Sequence, residues 1–322
     1  MIGADLVQAV VEQGLLFGIM VLGVFLSFRV LNVPDLTVDG SFPLGGAVAA
    51  SLIAGGAAPP AATLAAFGAG VLAGACTGLL HARMRIPALL AGILTMTALF
   101  SINLRIMGRP NVPLLRMPTL VQYVEKTPVG TQAPALVLFL AVAAGMSGVL
   151  YWFLRTEVGL SLRATGDNES MVASAGIEAG SAKTLGLSIS NGMVALSGAL
   201  TAQYQGFADV NMGFGTIVAG LASVILGEAI LRPRRLHAAL AAAVVGSLAY
   251  RASIAGALEL GLAPGDLKLA TALLVVPALA LPALPGSRRM RHLRLPFPLP
   301  RRPAWPAAVH HAHPDGRKGP GP

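Results

Sequence analysis

Charge is scarce in this chain: Asp, Glu, Lys and Arg make up 11% of its 322 residues, against about a quarter in an ordinary soluble domain. With 55% hydrophobic residues and a mean hydropathy of +0.71, this excludes a soluble globular body. Cysteine is also nearly missing. Cys76 stands alone inside an apolar run, so no intrachain disulfide and no cysteine-based zinc cluster can form. The sequence lacks a Walker A loop, an HExxH pair and a GxSxG elbow, which removes the usual signatures of nucleotide hydrolysis, zinc peptidases and serine hydrolases. No basic n-region or cleavage site precedes the first apolar run, so that run is expected to be a retained helix.

What is present is a series of continuous apolar windows rich in Ala, Leu and Gly. Barrel strands would alternate apolar and polar positions. The predicted fold class is therefore all-α, a polytopic transmembrane helical bundle of about eight crossings plus a broken or re-entrant segment. The crossings are expected near 6–28, 61–80, 87–104, 134–154, 184–204, 215–231, 237–256 and 267–284, each near the roughly 20 residues that span the hydrocarbon. Residues 42–57 are a further apolar piece, short and full of Gly, Ala and Ser. Gly14 with Gly18, and Gly70, Gly74 and Gly78, fall at helical spacing and predict close helix packing.

Most of the formal charge of +9 sits at the C-terminal end. Residues 287–322 carry eight basic residues against Asp315 alone. They are expected to form a basic, Pro-rich, disordered cytoplasmic tail that faces lipid and binds no nucleic acid; His310, His311 and His313 are read as solvated rather than metal-binding. The transmembrane domain then covers 1–286. Arg83 and Arg85, Arg155, Arg163 and Lys183, and Arg232, Arg234 and Arg235 mark cytoplasmic loops by the positive-inside rule, with the connection 105–133 as the exception. If residues 42–57 do not cross, both termini are cytoplasmic. If they do, the crossings number nine and the N-terminus is outside.

Four polar places stand out. In NVPDLTVDGSFPLGGAV, residues 32–48, Asp35 and Asp39 would share a helix face, but Pro34 and Gly40 oppose one continuous helix and no His or ligand cluster completes an active site. Such a break must be buried in protein or line a watery cavity, and Thr37, Asp39 or Ser41 can cap the piece that follows. Between 155 and 200, Asp167 or Asn168 is an N-cap, Glu169 lies in the first turn, Gly176 is a C′ residue and Ser181 can cap the next crossing. These predict a short helix near 169–175 that serves either as a docking lever or as an ordinary loop helix. Ser190, Asn191 and Ser197 fall on a crossing. Gln203, Tyr204, Gln205, Asp209 and Asn211 then form an external polar cluster free of basic residues, which either guides solute and a partner or solvates a loop. Glu228 is expected to pair with Arg232, Arg234 or Arg235.

FRVLNVPDLTVDGSFPLGGAVAA, LRATGDNESMVASAGI and SNGMVALSGALTAQYQGFADVNMGFGTIVAGLASVILGE occur in this order. Together they resemble the membrane permeases of ABC importers in the branched-chain amino acid and sugar permease superfamily. The likeness is narrower still to the subfamily associated with tryptophan and tyrosine uptake, and it runs from about residue 10 to 284. The resemblance implies a multi-pass permease of the bacterial inner membrane that dimerises and receives solute from an extracytoplasmic binding protein. It also implies docking on a cytoplasmic ABC ATPase, with ATP and Mg on that partner and no cofactor on this chain. Asn168 to Gly176, including Ala175, would be the ATPase-coupling helix, with Arg163 and Glu169 as polar contacts. Asp35, Thr37, Asp39, Ser41 and Asn191 would lie at the solute pathway or gate, the two acids as caps or as groups that meet solute. An aromatic amino acid is the first expected substrate, ahead of branched-chain amino acids, other small solutes and nucleosides. A secondary transporter that binds a coupling ion at Asp35 and Asp39, and an intramembrane enzyme, are the alternatives.

Overall fold

A computed structural model describes residues 4–125, 133–259 and 261; the expected crossing at 267–284 and the tail at 287–322 lie outside them. The described chain is helical apart from its connecting turns and loops and one short two-stranded antiparallel sheet. Helix α1 (Ala4–Val24) runs on through a π-helical turn, Phe25–Val30, into an irregular stretch, 31–37, before α2 (Val38–Ala54). Next come α3 (Pro59–Ala82), α4 (Ala88–Met107), strand β1 (Asn111–Pro113), α5 (Leu120–Glu125) and α6 (Pro134–Phe153). Two loop helices, α7 (Glu157–Asp167) and α8 (Glu169–Ser174), lead to α9 (Ala179–Gln205), strand β2 (Phe207–Asp209), α10 (Thr216–Leu231) and α11 (Leu236–Glu259). Among the described residues, six helical spans are long and apolar enough to cross a membrane, and α2 and α10 are shorter apolar helices.

Seven of the predicted windows are helices whose ends move by a few residues. Windows cannot see where an apolar helix stops being lipid-facing, and caps decide that instead. Helix α7 was not anticipated. Thr156 starts it by accepting a bond from the Gly159 amide at 3.2 Å. Ser181 does not cap α9, which begins two residues earlier; its hydroxyl donates to Glu178 Oε2 at 2.8 Å.

Contacts fix the two ends of the bundle. At one end, Gly166 of α7 lies against the Val30 carbonyl and Arg29 meets Glu228 near the end of α10. The basic loops gather here. At the other end, Ile53, Met107, Val112, Ala202 and Ala208 share a small core beneath the β1–β2 sheet, and Tyr204 bonds to Glu12 of α1. So α1 starts at the end that carries the β1–β2 sheet, and residues 31–54 carry the chain back to it. Helix α10 returns from β2 toward the basic end. The series α1, break, α2, α3 is thus repeated in the opposite direction by α9, break, α10, α11, the inverted arrangement common in transporters.

The break after α1 leaves few backbone groups unmet. Leu31 N donates to Leu26 O, Val33 N to Ser27 O, and Gly40 N and Ser41 N to Thr37 O. Asn32 takes a left-handed conformation, φ 56°, which Asn tolerates better than most residues. Helix α2 then carries Pro43 in its second turn. The missing Pro43 N–H frees the Asp39 carbonyl, against which Gly213 packs so closely that a Cβ there would overlap it.

Helix α9 is the central post, 89% buried over its apolar window. The glycine stripe predicted at Gly70, Gly74 and Gly78 faces its backbone at Asn191, Leu187 and Thr184, and Gly14 and Gly18 face Leu248 and Ser247 of α11. Apolar burial drives little association in lipid, so close packing and interhelical hydrogen bonds must do it. Ser190, Ser197 and Ser247 supply such bonds to carbonyls of Gly23, Leu16 and Gly14 at 2.7–2.8 Å.

Candidate functional site: two short helices meeting at Asp39

At 17 and 16 residues, α2 and α10 are each roughly 25 Å long, short of the ~30 Å hydrocarbon. Both begin inside the bundle. Their amino ends, each carrying the positive end of a helix dipole, come together at Asp39. Asp39 Oδ1 accepts from Thr216 Oγ1 and the Ile217 amide, both at 2.8 Å, and Oδ2 accepts from the Gly215 amide at 3.1 Å. Asp39 thus caps α10, a helix 177 positions away, and not the start of α2. The Gly215 that precedes α10 has φ 84° and offers no side-chain cap of its own, so a carboxylate from elsewhere has to supply one.

Asp35 has a different surrounding although it lies only four residues away. It is buried, accepting from the Thr37 amide at 2.9 Å and from Asn191 Nδ2 at 2.6 Å. Thr37 and Asn191 are fully buried as well. Thr37 shares a hydroxyl–hydroxyl bond of 2.8 Å with Thr77 of α3 and gives α2 no side-chain cap. The Ser41 hydroxyl is buried with no partner among the described residues. The expectation that Thr37, Asp39 or Ser41 caps α2 is therefore corrected: Asp35 holds the break to α9, and Asp39 holds α2 to α10.

Beside Asp39 lies a cavity of about 280 Å³, lined among others by Pro43, Met96, Phe100, Asn103 and Phe214. Asn103 of α4 was not singled out from the sequence. Its signal was there, a lone amide in an otherwise apolar span, where it now donates to the Gly40 carbonyl at 3.2 Å.

At the basic end, Asn168 separates α7 from α8. Its Oδ1 accepts from the Met171 amide at 3.1 Å and the Ser170 hydroxyl at 2.7 Å. Helix α8 ends on exposed Ala175 and Gly176, the latter at φ 81°. Val172 anchors it inward, and Glu169 pairs with Lys183 of α9 at 2.7 Å. Arg163 sits half-buried on α7.

The external cluster divides. Gln205 and Asn211 are exposed, and Asp209 is opposite Asn111 in the β1–β2 sheet, accepting from its Nδ2 at 3.2 Å. Gln203, by contrast, is buried: its Nε2 donates to Thr63 at 2.8 Å and its Oε1 accepts from the Leu120 amide at 3.0 Å. Tyr204 is half-buried and donates to Glu12 at 2.8 Å. These two tie α9 to α3, α5 and α1 and do not face solvent as a cluster would.

Glu228 also needs correction. Its partner is Arg29, at 2.7 Å, and not the adjacent arginines, because α10 runs alongside the end of α1. We expect Arg29→Gln to lower transport about threefold or more, since it takes the basic partner from the part-buried Glu228 carboxylate, and the exchanged pair R29E/E228R to regain most of it. Uptake at matched membrane levels checks this.

The profile of the family described as "Branched-chain amino acid transport system / permease component" matches residues 6–280. The chain belongs to this permease family. The permease is 43% identical over 272 residues to a "Tyrosine transport system permease protein" of Clostridioides difficile (strain R20291), covering 84% of this chain and 90% of that one. It is 37% identical over 262 residues to the uncharacterized protein RP368 of Rickettsia prowazekii, covering 80% and 91%. It is 25% identical over 276 residues to a galactofuranose transporter permease protein of Escherichia coli (strain K12), covering 80% and 77%. No solved structure gives a significant match. The protein is thus a multi-pass transport subunit of a binding-protein-dependent ABC system and not an enzyme. Membership of the family implies ATPase and binding-protein partners, and its permeases typically hold no cofactor.

Proposed function

We propose that the permease passes an aromatic amino acid, tyrosine first, from an extracytoplasmic binding protein into the cytoplasm. The observation that carries the substrate is the 43% identity, over nearly the whole of both chains, to a protein described as a tyrosine transport system permease. A binding protein of the same system should bind tyrosine or tryptophan in preference to leucine. A preference for leucine or a sugar in direct calorimetry would overturn the substrate.

In this proposal the permease acts as a homodimer in the bacterial inner membrane. The basic end faces the cytoplasm and the N-terminus lies outside, with residues 31–54 as a crossing in two pieces. Helix α8, from Asn168 to Gly176, seats on the ATPase, with Arg163 and Glu169 beside it; the Glu169–Lys183 pair passes its movement to α9. Asp35, Thr37 and Asn191 hold the break at one level and Asp39 at the next, with Ser41 buried in the first turn of α2, so α2 and α10 tilt together as a gate. Gln205, Asp209 and Asn211 meet the binding protein. The exposed end of α8 gives a direct test. Gly176→Val forces a β-branched residue into a left-handed conformation that costs ~1–2 kcal/mol. We expect it to reduce ATP-driven uptake by about tenfold while the permease still reaches the membrane. Uptake equal to wild type would remove the docking assignment.

A further inference from the structure

We propose that the end of α6, where it meets the start of α11, binds the headgroup of an anionic phospholipid. Arg155 supplies the positive charge and the Tyr151 hydroxyl a second donor to the phosphate. The site is separate from the joint at Asp39 and does not depend on which solute the permease carries.

Three observations lead there. First, the exposed Arg155 is held in place: its guanidinium lies 5.4 Å from the centre of the Tyr151 ring and donates from Nη1 to the Tyr151 hydroxyl at 3.1 Å. The exposed His237 of α11 stands nearly perpendicular to the same ring, with centres 6.3 Å apart. A side chain already fixed loses less freedom when it takes a ligand. Secondly, its donors are unspent. A guanidinium has five N–H donors, and Arg155 commits one of its side-chain donors among the described residues. The two ion pairs there, Arg29 with Glu228 and Lys183 with Glu169, do not involve it. The Tyr151 hydroxyl accepts from Arg155 and so keeps its own proton to give. Together they present a positive charge and free N–H and O–H groups, the complement of a phosphate. Thirdly, the flanking surface is apolar and open. Helix α6 is only 17% buried over its apolar window, and Val149 and Trp152, at helical spacing just before Arg155, are 58% and 69% exposed. Tryptophan followed by arginine at the end of such a helix marks the headgroup level of a bilayer. A phospholipid satisfies both parts, phosphate on Arg155 and acyl chain along Val149 and Trp152, whereas a soluble anion would satisfy the guanidinium alone.

The test is native mass spectrometry of the full-length permease with its ATPase, released from detergent after equilibration with equal amounts of phosphatidylglycerol and phosphatidylcholine. The wild type should retain phosphatidylglycerol in preference, and Arg155→Gln should lower that occupancy about fivefold. Arg83→Gln removes an exposed arginine from the end of α3, at the same end of the bundle, and should lower it less than about twofold if the site rather than the general positive charge holds the lipid. Inorganic phosphate at millimolar concentration should not displace the lipid. Equal retention of the two lipids by the wild type would overturn the proposal, and that comparison stands even if Arg155→Gln fails to fold. Equal losses in the two arginine variants, or displacement by inorganic phosphate, would overturn it as well. So would a folded Arg155→Gln that keeps its lipid and loses the ATPase or a second copy of the chain, which would assign the arginine to a protein contact.

Discussion

Asp39→Ala should lower uptake by about tenfold or more while the permease still accumulates in the membrane. The variant removes three hydrogen bonds from the first turn of α10, two of them to backbone amides. Losing an N-cap costs ~1–2 kcal/mol, bonds to a charged acceptor are worth ~1.5–3 kcal/mol each, and about 1.4 kcal/mol is already tenfold in an equilibrium. The loss falls on the joint between α2 and α10 and leaves the buried faces of the long helices intact, so function should suffer before insertion does. Asp39→Asn should be intermediate: an amide oxygen can still accept from Ile217, while its nitrogen meets the Gly215 amide as donor against donor. Glu259, exposed at the end of α11, supplies the control, and Glu259→Ala should transport like wild type. Hydrogen exchange at residues 216–219 should quicken in Asp39→Ala. Equal, mild effects of both alanine variants would return Asp39 to an incidental role.

The second large effect is expected from a single methyl. Gly198→Ala should cut the yield of monodisperse, folded protein severalfold, and Gly198→Leu should abolish it. A Cβ at 198 would overlap the Phe42 carbonyl, and Gly45 faces Ala195 just as closely, so α2 and α9 touch backbone to backbone. Overpacking a side-chain contact costs ~1–3 kcal/mol because neighbours can shift; two helix backbones in direct contact have less room to do so. Gly148 of α6 has nothing within 4 Å among the described residues, and Gly148→Ala should be neutral or gain up to ~1 kcal/mol from helix propensity. Thermal melting of purified protein in detergent separates the two. Similar melting temperatures for Gly198→Ala and wild type would mean that the helices do not meet at this distance.

Much of this architecture is legible in the sequence because lipid narrows the choices. An apolar run of twenty residues has little option but a helix, and the glycine spacing at 70, 74 and 78 shows which face goes inward. The Asn168 cap and the Gly176 terminator are local signals, and α8 lies between them. What the sequence hides are partners distant along the chain. Asp35 and Asp39 look like a pair at helical spacing, yet one bonds to Asn191 and the other to the start of α10. Glu228 sits among arginines and pairs with Arg29, 199 positions away. Gln203 reads as a loop residue and is a buried link to Thr63. In each case a polar side chain inside the bundle is satisfied by whichever element the topology brings beside it, which local pattern cannot specify. Residues 31–54 show the same limit. Their composition announces a break, but only the positions of Val30 and Ile53 at opposite ends of the bundle reveal that the broken piece runs the length between them.

The central claim, that this chain is the passive pathway of an ATP-driven importer, is tested most directly in proteoliposomes that combine the permease with its ATPase and binding protein. Tyrosine should accumulate only when all three are present with ATP and Mg, and should do so without any ion gradient. Uptake by the permease alone, driven by a sodium or proton gradient and indifferent to ATP, would contradict it.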